Sequence, residues 1–250
     1  MIVYFSATGN SKYVAKRIAR AFDDTAVSIE KQDGSITLRE NEILGIVTPV
    51  HWWQLPLPTR EYLKKLNLTA AGQPYTFIVA TCGTTPGCVF SDAERILQEK
   101  NIRLNAGFSV KMPDTWTPAF DLSDPERVAR KNADAEEIID SVIAGIESRT
   151  EGNHMKRTLP HAVRVLSEPS FDRARRTSRF YVEDTCSGCG LCARKCPVQA
   201  IRIKNRKPVW VKEQCALCLR CLHCCPNFSI QYGKGKTKKH GQYKHPHVRI

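Results

Sequence analysis

Several things are scarce in this chain, and each scarcity narrows what it can do. Long apolar runs are missing: no window approaches the ~18 uninterrupted apolar residues of a membrane span. The opening MIVYF carries neither a basic n-region nor a small-residue cleavage site, so no secretory leader is expected and a cytoplasmic setting is. The chain is basic, with a net charge of +13. It nevertheless lacks a helix-turn-helix, zinc-finger or RNA-recognition pattern, so nucleic acid is not an expected partner. Acidic residues are scarce in one half only. Residues 1–150 carry 17 Lys/Arg and 19 Asp/Glu, whereas residues 151–250 carry 21 and 6. Such asymmetry argues for two domains with different tasks.

Cysteine is abundant and clustered. Nine of the eleven fall between residues 186 and 225. Without an export signal, this clustering reads as metal binding in a reducing compartment. CSGCGLCARKCP (186–197) aligns with CALCLRCLHCCP (215–226) at an offset of 29. The match extends outward, FYVEDTC to VWVKEQC and AIRI to SIQY. The unit is strand, cysteine turn, short helix, strand, written twice. Lys195 stands where Cys224 falls, so Cys224 is the spare cysteine and is expected as a small buried hydrophobe. His223 is expected at the surface or beside a ligand. A zinc module would use two pairs of ligands, often with His. Two matched runs of four cysteines, each ending in Pro, fit that poorly.

The spacing C-x2-C-x2-C-x3-C-P is that of the bacterial ferredoxin run, whose fourth cysteine serves the other cluster in two-cluster proteins. The resemblance implies a small α+β domain at 178–233 with two 4Fe-4S clusters. One would be held by Cys186, Cys189, Cys192 and Cys225, the other by Cys215, Cys218, Cys221 and Cys196. Crossing ties the repeats together and lets about sixty residues fold around inorganic cores where an apolar core would be marginal.

The first half alternates strand and helix. Apolar strands are expected at 2–6, 25–30, 43–50, 75–81 and 102–112, the last interrupted at its Gly. Helices are expected at 11–22, 58–66, around 89–97, and from a Ser123/Glu126 capping box to about 148. Five strands with intervening helices predict an α/β, doubly wound parallel sheet. Ligands of such sheets bind outside the carboxyl ends of strands, where three loops would meet. FSATGNSK (5–12) offers the hydroxyls of Ser6, Thr8 and Ser11 and the amides of Ala7 to Ser11 at a helix start, suited to an anion. It is neither a GxxxxGK[ST] nor a GxGxxG loop. TPVHWWQLPLP (48–58) places Trp52 and Trp53 in a polar, Pro-bounded loop, either to cover a flat ring or to meet a neighbouring domain. TCGTTPGC (81–88) supplies Gly83 and Gly87 for close backbone approach.

Residues 1–150 resemble flavodoxin, because SATGNS matches its Ser/Thr-x-Thr-Gly-Asn-Ser/Thr phosphate loop. The resemblance implies a flavodoxin-like five-stranded sheet and bound FMN. Ser6, Ala7, Thr8, Gly9, Asn10 and Ser11 would hold the phosphate. Val50, His51, Trp52 and Trp53, with Thr81, Cys82, Gly83 and Gly87, would border the ring. The whole resembles a family of ferredoxins fused to flavodoxin-like domains. Residues 151–177 would connect the two, and 234–250 would form a basic, mobile tail in which a metal-binding role for His240, His245 and His247 is the lesser reading. The expected function is an electron carrier between soluble redox proteins with acidic docking surfaces. The alternatives are an FMN-dependent reductase of a small molecule such as a quinone, and a redox-sensing interaction protein.

Overall fold

The computed structural model describes all 250 residues. The first half runs β1 (Ile2–Tyr4), α1 (Asn10–Ala21), β2 (Ala26–Ser28), β3 (Ser35–Leu38), β4 (Ile43–Pro49), α2 (Leu57–Lys65), β5 (Asn67–Ala70), β6 (Tyr75–Cys82), α3 (Val89–Gln98), β7 (Ala106–Lys111), α4 (Pro125–Glu147) and β8 (Gly152–Asn153). One parallel sheet has the order β2-β1-β4-β6-β7-β8. The five expected strands are its body. The sixth, β8, is a two-residue edge, too short to leave a periodic signal. Numbered among the five alone, the order is 2-1-3-4-5, the flavodoxin-like doubly wound arrangement, with its switch point between β1 and β4. A separate parallel pair joins β3 to β5.

Side chains alternate across the sheet, and both faces are covered. Ile2, Tyr4, Val47, Phe77 and Val79 meet Val14 and Ile18 of α1 and Ile139 and Val142 of α4. Val3, Phe5, Ile46, Ile78 and Ala80 meet Leu63 of α2 and Ile96 and Leu97 of α3. Gly107 does not interrupt β7, because the Phe90 ring fills the space where a Cβ would stand. The Ser123/Glu126 box is not the cap of α4. Asp124 accepts from the Arg127 amide at 3.0 Å, and Pro125 takes the first helical position, where no amide is needed.

The second half runs α5 (His161–Ala174), β9 (Phe180–Val182), α6 (Leu191–Arg194), β10 (Ile201–Lys204), β11 (Lys207–Trp210), α7 (Arg220–Cys224), β12 (Ile230–Tyr232) and α8 (Lys236–His240). The duplication is visible: α6 and α7 start 29 residues apart, as do β10 and β12. β9 pairs with β12 and β10 with β11, both antiparallel. α5 lies against both halves. Trp52 Nε1 donates to Ser170 Oγ at 3.1 Å and Arg164 stands 3.5 Å from the buried Asp92, while Tyr232 donates to the Ala174 carbonyl at 2.7 Å.

Two expectations are corrected here. His223 is fully buried, not at the surface. Its Nδ1 accepts from the Tyr243 amide, so Nε2 carries the proton and donates to Thr115 O at 2.9 Å. Burial holds its pKa down at about 4. Nor is the tail free of the core. Tyr243 and His245 are buried, the latter stacked on Tyr13 at 4.2 Å. The His245 amide donates to Thr8 O, and the Tyr243 hydroxyl to Asn10 Oδ1, each at 2.8 Å. Low overall apolar content concealed a few aromatic anchors placed two residues apart.

Candidate functional site

The carboxyl ends of β1, β4, β6 and β7 open on a cavity of about 460 Å³. Its floor is the 6–11 loop, buried throughout. Gly9 takes a φ of 109°, a backbone state that favours glycine, and its amide donates to Ser6 Oγ at 3.1 Å. Ser11 Oγ is 2.7 Å from Thr81 Oγ1, and Asn10 Nδ2 donates to the Pro113 carbonyl. The amides of Ala7, Thr8, Asn10 and Ser11 have no acceptor within the protein, and no side chain caps α1. Buried donors at a helix start, aimed into a cavity, fit a phosphate.

The wall after β4 is a tight turn. His51 and Gln54 exchange two backbone hydrogen bonds at 3.1 Å, and the two central residues, Trp52 and Trp53, have φ of 51° and 61°. Hairpin turns with two positive φ values normally use Asn-Gly. Two indoles here carry a strain on the order of 1–2 kcal/mol each. Their side chains gain contacts in return. Trp52 meets Trp116 edge-on at 5.7 Å and Phe171 at 6.0 Å, while Trp53 stays 40% exposed at the cavity mouth. Trp52 therefore does both things the sequence left open, lining the cavity and meeting the neighbouring elements.

Val50, His51, Thr81, Cys82 and Gly83 also line the cavity. Burial holds His51 near 4, helped by the Arg220 charge and opposed by a hydrogen bond with the backbone of Ala216. Its Nδ1 has no partner. Burial, with the charge of Asp114, pushes the Cys82 thiol up to about 12, so it is no nucleophile at neutral pH. Gly83 is required because a Cβ would come within 2.2 Å of Asp114. Gly9 and Gly87 are not cavity-lining. A Cβ at Gly9 would strike His245, and one at Gly87 would lie 2.1 Å from the Trp53 carbonyl, so Gly87 supports the Trp turn from behind.

Two further segments reach the cavity. The loop after β7 brings Asp114, Trp116 and Phe120. Burial raises the Asp114 pKa, against the Trp116 amide and the charge of Lys131. The rule that ligands sit at strand carboxyl ends could have found this loop. Nothing local in the sequence could have found the other, Leu217, Cys218 and Leu219, which come from the cysteine-rich half.

The eight cysteines of the repeats stand around two small cavities. Cys186, Cys189, Cys192 and Cys225 line one; Cys196, Cys215, Cys218 and Cys221 line the other. Burial raises the pKa values of Cys192, Cys215, Cys218 and Cys221. Cys225 and Cys189 add to the rise at Cys192, and Cys196 adds to it at the other three. No three of these side chains converge on a single-ion site. Each cavity is lined by four cysteines, the number of thiolates that a cage cluster takes. Cys224 is buried and belongs to neither set.

The repeats differ in one informative way. Gly188 and Gly190 take φ of 72° and 75° in the first; Leu217 and Leu219, 29 residues on, take 52° and 53° in the second. Both leucines are buried, at 5% and 2% exposure, and both line the large cavity; Leu219 also lines that of the second cysteine set, and the Leu217 amide donates to Cys215 Sγ at 3.3 Å. Beside them Arg220 locks the halves together. Its guanidinium makes two 2.6 Å bonds to Glu30 and donates to the carbonyls of Ser6 and Lys195 at 2.9 Å.

A flavodoxin domain family model matches residues 1–132, just over half of the chain, and a 4Fe-4S binding domain model matches residues 180–202. No curated protein matches the chain. Among solved structures, it is similar to the Trp repressor binding protein from Bacillus subtilis, at 11% identity over 60% of this chain and 98% of that one, with a TM-score of 0.36. It is also similar to the Streptococcus pneumoniae TIGR4 flavodoxin, at 18% identity over 56% and 97%, again with a TM-score of 0.36.

Proposed function

The chain belongs to the flavodoxin domain family and joins that domain to a 4Fe-4S binding domain, which makes it a flavin and iron–sulfur redox protein; from that premise we propose that it is an electron carrier relaying electrons between two 4Fe-4S clusters, a bound FMN and soluble redox partners. One observation carries the reading. Cys218 and its flanking leucines line the same cavity as the 6–11 loop, so one cysteine set and the flavin site share a wall. When bound, the clusters pass single electrons and FMN takes one or two.

The residues have distinct tasks. The free amides of Ala7, Thr8, Asn10 and Ser11 hold the phosphate, with Thr81 fixing Ser11. Trp52, Trp53, Val50 and Gly83 form the slot for the ring. Cys186, Cys189, Cys192 and Cys225 hold the outer cluster, Cys189 being the exposed one. Cys196, Cys215, Cys218 and Cys221 hold the inner cluster. Leu219, which lines both cavities, and the buried Leu217 beside it exclude water from the wall between inner cluster and flavin. His51 stays neutral at pH 7, and its unpartnered Nδ1 is available to the ring edge. All eleven cysteines are free, which suits a reducing cytoplasm, and no helix is long and apolar enough to cross a membrane.

A second reading, reductase of a small quinone-like molecule, draws on Asp114, a carboxyl whose raised pKa suits proton donation inside the cavity. One anaerobic preparation tests both. Iron, sulfide and flavin quantification should give about eight irons and about one FMN per chain. Added quinone should be reduced no faster than free FMN reduces it. Zinc in place of iron, or no flavin, defeats the relay; rapid saturable quinone turnover makes the protein a reductase.

A further inference from the structure

We infer that the outer face of the β10–β11 hairpin is the docking surface for an acidic one-electron carrier protein, which exchanges electrons with the outer cluster. The inference rests on the reading of Cys186, Cys189, Cys192 and Cys225 as a 4Fe-4S site. Residues 201–212 hold Arg202, Lys204, Arg206, Lys207 and Lys212 and no Asp or Glu. The hairpin register sets Arg202 opposite Val209 and Lys204 opposite Lys207. Because side chains alternate, these four share one face, and Val211 continues it. The opposite face carries Ile203 and Pro208, which line the cavity of the outer cysteine set. The turn presses inward as well: the Arg206 carbonyl lies where a Cβ on Gly188 would come within 2.5 Å. The hairpin is thus a roof over that set. Of the eight cysteines in the two sets, Cys189 alone is exposed beside it.

The outer face has the make-up of a protein interface with an apolar centre and a charged rim. Val209 and Val211 are 38% and 44% exposed, surrounded by Arg202, Lys204 and Lys207. The rim is not neutralised from within. Asp184 stands 3.7 Å from Lys207 and Glu183 is engaged by Lys238 at 2.6 Å, but Arg202, Lys204 and Arg206 make no salt bridge. A basic rim steers an acidic partner toward the patch and holds it in register. The apolar centre and the adjacent cysteine set favour a redox protein over a nucleic acid or a lipid surface, neither of which needs an electron port. Docking there would bring the partner's reduced iron–sulfur centre, the one-electron donor, beside Cys186, Cys189, Cys192 and Cys225, which would hold the acceptor cluster; the transfer would need no new bond and no proton.

The test uses the full chain, reconstituted anaerobically, with an acidic plant-type [2Fe-2S] ferredoxin as the probe. Affinity is measured by titration calorimetry at about 50 and about 300 mM salt, and iron content is measured separately. The Arg202→Glu/Lys204→Glu variant should bind at least about tenfold more weakly at low salt and lose most of the salt dependence, with iron content unchanged. Lys64→Glu/Lys65→Glu, the same charge change on α2, should bind like the wild type. If the double reversal loses iron, Arg202→Gln/Lys204→Gln makes the comparison and should still bind more weakly than the wild type. Equal affinity of the charge variants and the wild type overturns the docking surface. So does binding of an RNA oligonucleotide or of phosphatidylglycerol vesicles that is as tight as ferredoxin binding and equally sensitive to the reversal. A wild-type chain without iron overturns the proposed function instead.

Discussion

Leu217 and Leu219 show what one residue can be asked to bear. Left-handed backbone disfavours a leucine by about 1–2 kcal/mol relative to the right-handed region. Their counterparts Gly188 and Gly190 take the same backbone state without that strain. Relieving the strain is not the larger effect, because burying a leucine stabilises by about 1.5–3 kcal/mol, and glycine also loses more backbone entropy on folding. Leu217→Gly should therefore destabilise the protein by about 1 kcal/mol despite removing a strained angle. A urea unfolding midpoint followed by tryptophan fluorescence checks the sign; a rise would mean that the leucine contributes only strain. Trp52 follows the same logic, its contacts to Trp116 and Phe171 holding a turn that the backbone of both indoles resists.

Among the elements, the C-terminal segment after α8 does the least expected work. It reaches back across the start of α1, where the Tyr243 hydroxyl donates to the Asn10 side-chain oxygen and the His245 amide donates to the Thr8 carbonyl. Deleting residues 242–250 should weaken FMN binding by about tenfold, equivalent to about 1.4 kcal/mol, in a flavin fluorescence titration. Unchanged affinity would make the segment a passenger. The docking should also depend on pH. Burial, with His247 nearby, holds His245 at about 4, below the ordinary imidazole value of about 6.5. A depressed folded-state pKa contributes stability that is present above about 6.5 and is lost as pH falls toward about 4. Protease sensitivity of the segment should accordingly rise between pH 7 and pH 5, with a smaller rise in His245→Gln.

At the scale of the whole molecule, charge and docking work together. Residues 1–150 carry a slight acidic excess and residues 151–250 a large basic one. Arg220 joins them through Glu30, with the guanidinium 5.4 Å from the Phe5 ring centroid. Reducing a cluster adds negative charge, which the surrounding Lys and Arg favour, so cluster potentials should be raised relative to an acidic ferredoxin. Salt screens that field. The potentials should fall by on the order of 30 mV as ionic strength rises from about 0.05 to about 0.5 M, read by redox titration. Potentials indifferent to salt would show that hydrogen bonds and burial, not net charge, set them.

The sequence by itself determined the parts whose signals are local. Apolar runs at 43–50 and 75–81 are the buried strands, SATGNS is the loop at the sheet's switch point, and the offset of 29 gives two matching cysteine runs. Each is a short pattern that its own backbone geometry explains. Only the tertiary structure decided how the parts meet. That Leu217 to Leu219 wall the cavity at the strand ends, that His223 is an interior tie, and that Tyr243 and His245 return to the first helix are long-range contacts. Tertiary docking makes them, by burying a few apolar and hydrogen-bonded groups between segments that are far apart in the chain. No periodicity or spacing within either segment encodes that meeting.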